Sequence, residues 1–459
     1  MNETQMLLGL IVGVFLLIFM ILKTKIHTFL ALTIASAVTG IVGGMLSSEV
    51  VSAITGGFGS TLSSIGIIIG FGVMMGRILE VSGAAERMAY TFIKTLGKGR
   101  EELALALTGF IVSIPIFADS GFVILTPLVK SISRKTKRSV VGLGCALACG
   151  LFVTHHLVPP TPGPLGVAAI FGADLGQVIL WGLVMSVPVT IAGIFYAKWL
   201  GKRIYQLPGG DGKEWIRGEY DPKQISAAQN IEEMFPNLAN LPSAFVSFLP
   251  IVLPVVLIFI NTLCSALGVK GTVGELATFI GNPVIAVALG LVVSIYTLAG
   301  KETRAEAIKK MEEGVESAGI ILLITGAGGA FGYVIRTAGI GGYLGGVIAG
   351  LPIPAILVPF LISAAVRCIQ GSSTVAMVTS ASISAPILTA LGVNPVFATM
   401  ATCMGAMAIG HFNDSFFWVV NRMLGITETK EQLKTWTVPT IVMWLSGCVV
   451  VVLLNAVFD

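Results

Sequence analysis

The residues best suited to chemistry fall in four polar clusters set in apolar surroundings: Asp119, Ser120 and Gly121; His155 to Thr161; Arg367 with Gln370 to Thr374; and His411 to Ser415. Unpaired polar groups in hydrocarbon cost several kcal/mol each, so such clusters persist only when buried in protein or lining a cavity. In the first and third clusters the polar residues open an outgoing apolar arm. A helix beginning there points free N–H groups and a positive dipole end inward, an arrangement that binds carboxylates. The chemistry expected is therefore reversible binding of a small anion carrying hydroxyls. The candidate contacts are Ser120, Gly121, His155, Thr161, Arg367, Gln370, Gly371, Ser372, Ser373, Thr374, Asn413 and Ser415. Arg367 pairs either with the substrate or with a buried acid or carbonyls.

Asp119 and Asp414 are candidate proton-coupling residues, because desolvation raises a carboxyl's pKa toward working pH. Each also suits a helix cap. Histidine is the residue type suited to proton exchange near neutrality, so His411 joins them, with His155 a further candidate for that role. No HExxH or carboxylate set indicates a metal, and no GxxxxGK[ST] loop indicates nucleotide hydrolysis. The six cysteines form no CxxC pair and read as small core residues. No cofactor is expected beyond the coupling proton, and no nucleic-acid partner.

The elements that must position these residues are membrane spans. The chain is 55% hydrophobic and 11% charged, which excludes an ordinary soluble globule and leaves an all-α polytopic membrane protein. Met6 to Leu22 reads as a retained span, followed by His27 to Leu46 and Ser60 to Val81. Leu103 to Ile132 is flanked by basic residues on both sides, so the positive-inside rule places both flanks in the cytoplasm. Its 30 residues are too few for two crossings of about 20. With Pro115 and Asp119 at its midpoint, it reads as a re-entrant hairpin. Val158 to Pro164 carries four prolines in seven residues and breaks the following helix between Ser139 and Phe171. Leu175 to Trp199 returns to the cytoplasm, and residues 201–243 form a polar cytoplasmic linker.

The plan then repeats. Ala244 to Leu267, Leu276 to Leu298 and Val315 to Ile335 are spans. Leu351 to Cys368 and Ser372 to Leu388 form a second hairpin around Gly371. Val396 to Gly410 and Phe416 to Leu424 form a second broken helix, and Trp436 to Val457 is the last span. Gly70, Gly72, Gly76 and Gly83 recur 256 positions later as Gly326, Gly328, Gly332 and Gly339. His155 meets His411 at the same offset, and Gly121 pairs with Gly371 after a short gap. Loop charges orient the halves oppositely, with both termini outside. Residues 1–200 and 244–459 are therefore expected to be two inverted repeats, the signature of secondary transporters. A membrane-embedded hydrolase or a channel are the rival classes; matched clusters spread over two halves favour a carrier over either.

Taken together, Glu80 to Glu86 (E-V-S-G-A-A-E), Asp119 to Leu125, V-P-P-T-P-G-P from Val158, Gln370 to Ala376, His411 to Trp418 and the later K-T-W-T-V resemble the gluconate:proton symporter family of the ion transporter superfamily. The resemblance implies uptake of gluconate or a related hydroxylated monocarboxylate with a proton across the cytoplasmic (inner) membrane, by an elevator-type movement in a homodimer. It also admits carriers of glycerate and D-serine. Family members with a histidine where Thr161 stands are familiar, so this chain departs from that pattern.

Overall fold

The computed structural model describes residues 3–24, 26–96, 99–209, 214–222, 235, 238–299, 303–339, 353–411 and 414–458. The chain is mostly helical, as the apolar runs demand. Among the described residues six helices are long and apolar enough to cross a membrane, or eight if two bent pairs each count as one span. Helices α1 (Glu3–Phe19), α2 (Thr28–Val42) and α3 (Ser47–Val81) come first. Then follow α4 (Ala84–Leu96), a hairpin of α5 (Glu101–Val112) and α6 (Ala118–Thr136), a broken helix of α7 (Val140–Leu157) and α8 (Pro162–Phe171), and α9 (Leu175–Arg203).

After the linker come α10 (Ala244–Ala266), α11 (Thr272–Ile280), α12 (Pro283–Leu298) and α13 (Arg304–Thr337). A second hairpin, α14 (Leu357–Gln370) and α15 (Ser373–Ala390), and a second broken helix, α16 (Pro395–Gly405) and α17 (Ser415–Met423), lead to α18 (Thr429–Phe458). Long helix, hairpin, broken helix and final span thus recur in one order. The 256-residue offset carries Ser47–Val81 onto 303–337, within one residue of α13.

Several elements outrun their apolar runs for identifiable reasons. The long helix α13 starts eleven residues before Val315 because Thr303 and Glu306 form a capping box, in which Thr303 N donates to Glu306 Oε2 at 2.8 Å. Likewise α3 begins at Ser47, where Glu49 accepts from Leu46 N at 3.1 Å, and it bends by 44° near residues 63–66. The expected span Leu276 to Leu298 is instead two helices meeting at 64°, with Asn282 capping α12.

The linker carries a feature that polar composition hid. Strands β1 (Gln206–Pro208) and β2 (Trp215–Arg217) pair antiparallel, the one departure from an all-α fold among the described residues. They dock on both parts of the chain. Gln206 Nε2 donates to Leu424 O at 2.7 Å, Ser139 Oγ donates to Ile204 O at 2.6 Å, and Lys130 Nζ lies 4.9 Å from the Trp215 ring centroid. Arg217 grips Glu431 through two hydrogen bonds of 2.6 Å, and that carboxylate raises the Arg217 pKa above its ordinary value.

Helices α3 and α13 pack against each other along their length and run antiparallel. Near one end Gly57 meets Ala330 and Tyr333; near the other Arg77 Nη2 bonds Glu313 Oε2 at 2.8 Å. Small residues permit this approach. A Cβ on Gly57 would lie 2.6 Å from Tyr333 Cβ and 2.8 Å from Ala330 Cα, whereas one on Gly56 would meet nothing within 4 Å. Gly57→Val is therefore expected to destabilise the detergent-solubilised protein by about 1–3 kcal/mol, as overpacking does. Thermal unfolding should show the drop for Gly57→Val and little change for Gly56→Val; equal effects would refute the seam.

Candidate functional site

Each interruption of the helices has a local cause. Pro115 follows the C-cap of α5 at Ser113, and Phe117 is extended before α6 begins. Gly371 ends α14 with φ +85°, a left-handed conformation that favours glycine, and Ser372 caps α15. In the first broken helix Pro162 and Pro164 sit in the opening turn of α8, where a missing N–H is tolerated. In the second, α18 holds the backbone between α16 and α17: Thr437 Oγ1 donates to Gly410 O at 2.6 Å and Gly410 N donates to Thr440 Oγ1 at 2.9 Å.

These interruptions enclose a cavity of about 400 Å³, within the range of ligand sites at about 300–1,000 Å³. The start of α6 contributes Asp119, α7 contributes His155 and His156, the start of α15 contributes Gly371 to Thr374, and the start of α17 contributes Asp414 and Ser415. Ile320 and Ile324 of α13 form an apolar wall. Phe152 and Phe416 also line it, stacked 6.3 Å apart, with Trp436 edge-on to both.

The two aspartates differ in surroundings. Asp414 accepts from Arg367 Nη2 at 2.6 Å, from Trp436 Nε1 at 3.3 Å and, as N-cap of α17, from Phe416 N at 3.0 Å. This carboxylate is paired and capped at once. Asp119 is the second residue of α6, not its cap. Ser415 Oγ donates to its Oδ2 at 3.4 Å, while its buried Oδ1 has no hydrogen-bond partner. The buried Nδ1 of His155 likewise has none.

Other candidates lie elsewhere. Arg367 is 1% exposed and sits behind Asp414, off the cavity wall; of its two expected roles the geometry fits pairing with a buried acid. Ser120 faces a separate cavity of about 220 Å³ with Arg77, Glu80 and Glu313. Gly121 packs under Leu151, 2.8 Å from where its Cβ would be, and lies within α6. Its expected pairing with Gly371 does not hold, because Gly371 lies in the turn that ends α14 whereas Gly121 lies inside α6. Thr161 is buried and donates to Val158 O at 2.7 Å, closing the break instead of facing the cavity. His411 Nε2 donates to Cys368 O at 2.9 Å, tying the second break to α14. Asn413 and the Gln370 side chain lie outside the described residues.

Reasoning from sequence did not single out Phe152, Phe416, Ile320 or Ile324, and it ranked His156 below His155. Trp436 lay within the K-T-W-T-V run, but an indole inside an apolar span gives no sign of its acceptor.

Apolar spans around a central polar cavity built from hairpin tips and helix breaks define a multi-pass membrane permease. The chain belongs to the GntP family of permeases, whose model matches residues 5–457. An uncharacterized permease of Haemophilus influenzae is 50% identical, over 98% of this chain and 92% of the relative. A gluconate permease of Pseudomonas aeruginosa is 32% identical over 99% of each chain. The structure of MtrF from Neisseria gonorrhoeae, described as one of a class of antimetabolite efflux pumps, superposes with a TM-score of 0.66 over 95% of this chain and 96% of the other at 14% identity. The chain is thus a transport protein and not an enzyme.

Arg367→Met would leave Asp414 without its counter-charge, and Asp414→Asn would do the same to Arg367. Each change is expected to lower stability by about 3–5 kcal/mol, the penalty of breaking a buried pair. Thermal unfolding of the double variant should show much less than the summed loss; a fully additive loss would mean that the two charges are not coupled.

Proposed function

We propose that this permease takes up gluconate or a related small hydroxylated monocarboxylate together with a proton across the cytoplasmic membrane. The observation that carries the reading is that Asp119, whose buried Oδ1 has no hydrogen-bond partner, lines the same cavity as the acid-free N-terminus of α15. The start of α15 receives the substrate carboxylate, with Ser372, Ser373 and Thr374 as hydrogen-bonding partners. His155 and Ser415 supply polar contacts for hydroxyls. Asp119 carries the proton, and its neutralisation lowers repulsion against the incoming anion. Asp414 is paired with Arg367 at 2.6 Å and serves to position the site. The 32% identical gluconate permease supports the substrate class. Because Asp119 also suits an ammonium group, D-serine is the second reading.

Movement of the cavity follows an elevator scheme between two inverted repeats. The antiparallel α3 and α13 support inversion, since they are equivalent in the repeated order. Their equivalent glycines meet different partners: Gly72 and Gly76 face Pro160 and Pro115, whereas Gly328 and Gly332 face Val378 and Ser382 midway along α15. Exchanging the two arrangements would shift the cavity-bearing helices by the distance from Gly371 to Ser382, roughly 16 Å at 1.5 Å per residue. Two copies assemble as a homodimer, as the resemblance to gluconate:proton symporters implies. Loop charges place both termini outside.

Radiolabelled gluconate uptake into proteoliposomes tests the reading. Saturable accumulation driven by a proton gradient, acidic on the substrate side, is expected. Asp119→Asn should abolish that accumulation while retaining gluconate exchange. Gradient-independent uptake by the wild type would overturn proton coupling, and flux without saturation would overturn the carrier.

A further inference from the structure

The α3–α13 pair carries two smaller cavities, one toward each of its ends, and the repeat relates them position by position. Val73, Gly76, Arg77 and Glu80 of α3 line the cavity of about 220 Å³ that Ser120 faces. The 256-residue offset carries these four onto Gly329, Gly332, Tyr333 and Arg336 of α13. Those residues line a second cavity, of about 200 Å³, together with Ser60 and Thr61 of α3. The positions match, but the charges do not. At the first end Arg77 is held between two acids, with Nη1 2.9 Å from Glu80 Oε1 and Nη2 2.8 Å from Glu313 Oε2, so acid is in excess there. At the second end the exposed Arg336 stands where Glu80 does in the first, its guanidinium 4.7 Å from the Tyr333 ring centroid. No acid lines that cavity among the described residues, and the chain has no Asp or Glu between Glu316 and Asp414.

We infer that Arg336 recruits the substrate anion at the outer face, and that the Glu80, Arg77 and Glu313 cluster disfavours its return from the cytoplasm. This deepens the reading of the protein as an uptake carrier for carboxylates and rests on it. The positive-inside rule sets the two faces: Arg87, Lys94 and Arg100 follow α3 at the Arg77 end, and Arg304, Lys309 and Lys310 open α13 there. Phe117 lines both the central cavity and the Arg77 cavity, so in this arrangement the substrate lies a phenyl ring away from the acid-rich end. Exchange of the two arrangements would bring the substrate beside Arg336 instead. A guanidinium without an acid partner, set in a polar cleft, raises the local concentration of small anions and speeds their arrival, and salt screens that effect. A guanidinium already shared by two carboxylates offers no such attraction. Anions therefore meet opposite fields at equivalent positions on the two sides of the membrane.

The test is saturable gluconate exchange measured from each face, in right-side-out and inverted membrane vesicles, at low and high ionic strength. In the wild type the outer KM should be the lower of the two and should rise about tenfold with salt, the low end of what steering achieves. The inner KM should stay level or fall. Arg336→Gln should raise the outer KM by about the same tenfold at low salt and abolish its salt dependence, with the inner KM unchanged and the maximal rate much less affected. Arg336→Lys, which keeps the charge, should behave as the wild type. Equal salt dependence at the two faces of the wild type overturns the inference without any variant having to fold. An outer KM indifferent to Arg336→Gln, or one raised equally at both faces, also overturns it while leaving the proposed function standing. If gluconate and other carboxylates are not carried from either face, both fall.

Discussion

The ion pair between Arg367 and Asp414 holds the polar centre together. Arg367 comes from the incoming arm of the second hairpin, and Asp414 begins the second half of a broken helix 47 residues later. Neither charge is tolerable alone in a water-poor interior, so each keeps the other's element in place. Trp436 donates to the same oxygen and thereby ties the last span into the arrangement. Two helix starts on the cavity wall, those of α15 and α17, are oriented by this one contact.

With Asp414 so engaged, the two cavity acids differ in their surroundings. One has its charge matched by a guanidinium, an indole N–H and a backbone N–H. The other has a single weak hydroxyl donor and a free oxygen. Burial alone would make the pair look alike; the difference lies in what surrounds each carboxylate. That is why a search of the sequence for buried acids ranks Asp119 and Asp414 equally, while the folded chain separates them.

Much of the arrangement was legible because lipid makes interruptions conspicuous. Pro115 between basic flanks, the proline run from Pro159 and the polar run at Gly371 each announced a place where a helix stops. The convergence of Asp119, His155, Gly371 to Thr374, Asp414 and Ser415 on one cavity was within reach of repeat reasoning. Partners were not. The acceptor of Arg367 is remote in sequence, and Thr161 turns inward on Val158 for reasons of local turn geometry. Aligning Gly121 with Gly371 misled because a shared residue type does not fix loop length. The three-residue strands at Gln206 and Trp215 leave no periodic trace, since their pairing depends on the surface beneath them.

That small sheet bears on how the molecule is built. Arg217 waits for Glu431, 214 residues further along the chain, and β1 for Leu424. At synthesis rates of about 5–20 residues per second, the interval is roughly 10–40 s. During it the earlier spans are already in the bilayer with this latch unfastened. Closure of the fold therefore waits for the start of the last span, and a chain truncated before Glu431 would lack the fastening between β2 and that span.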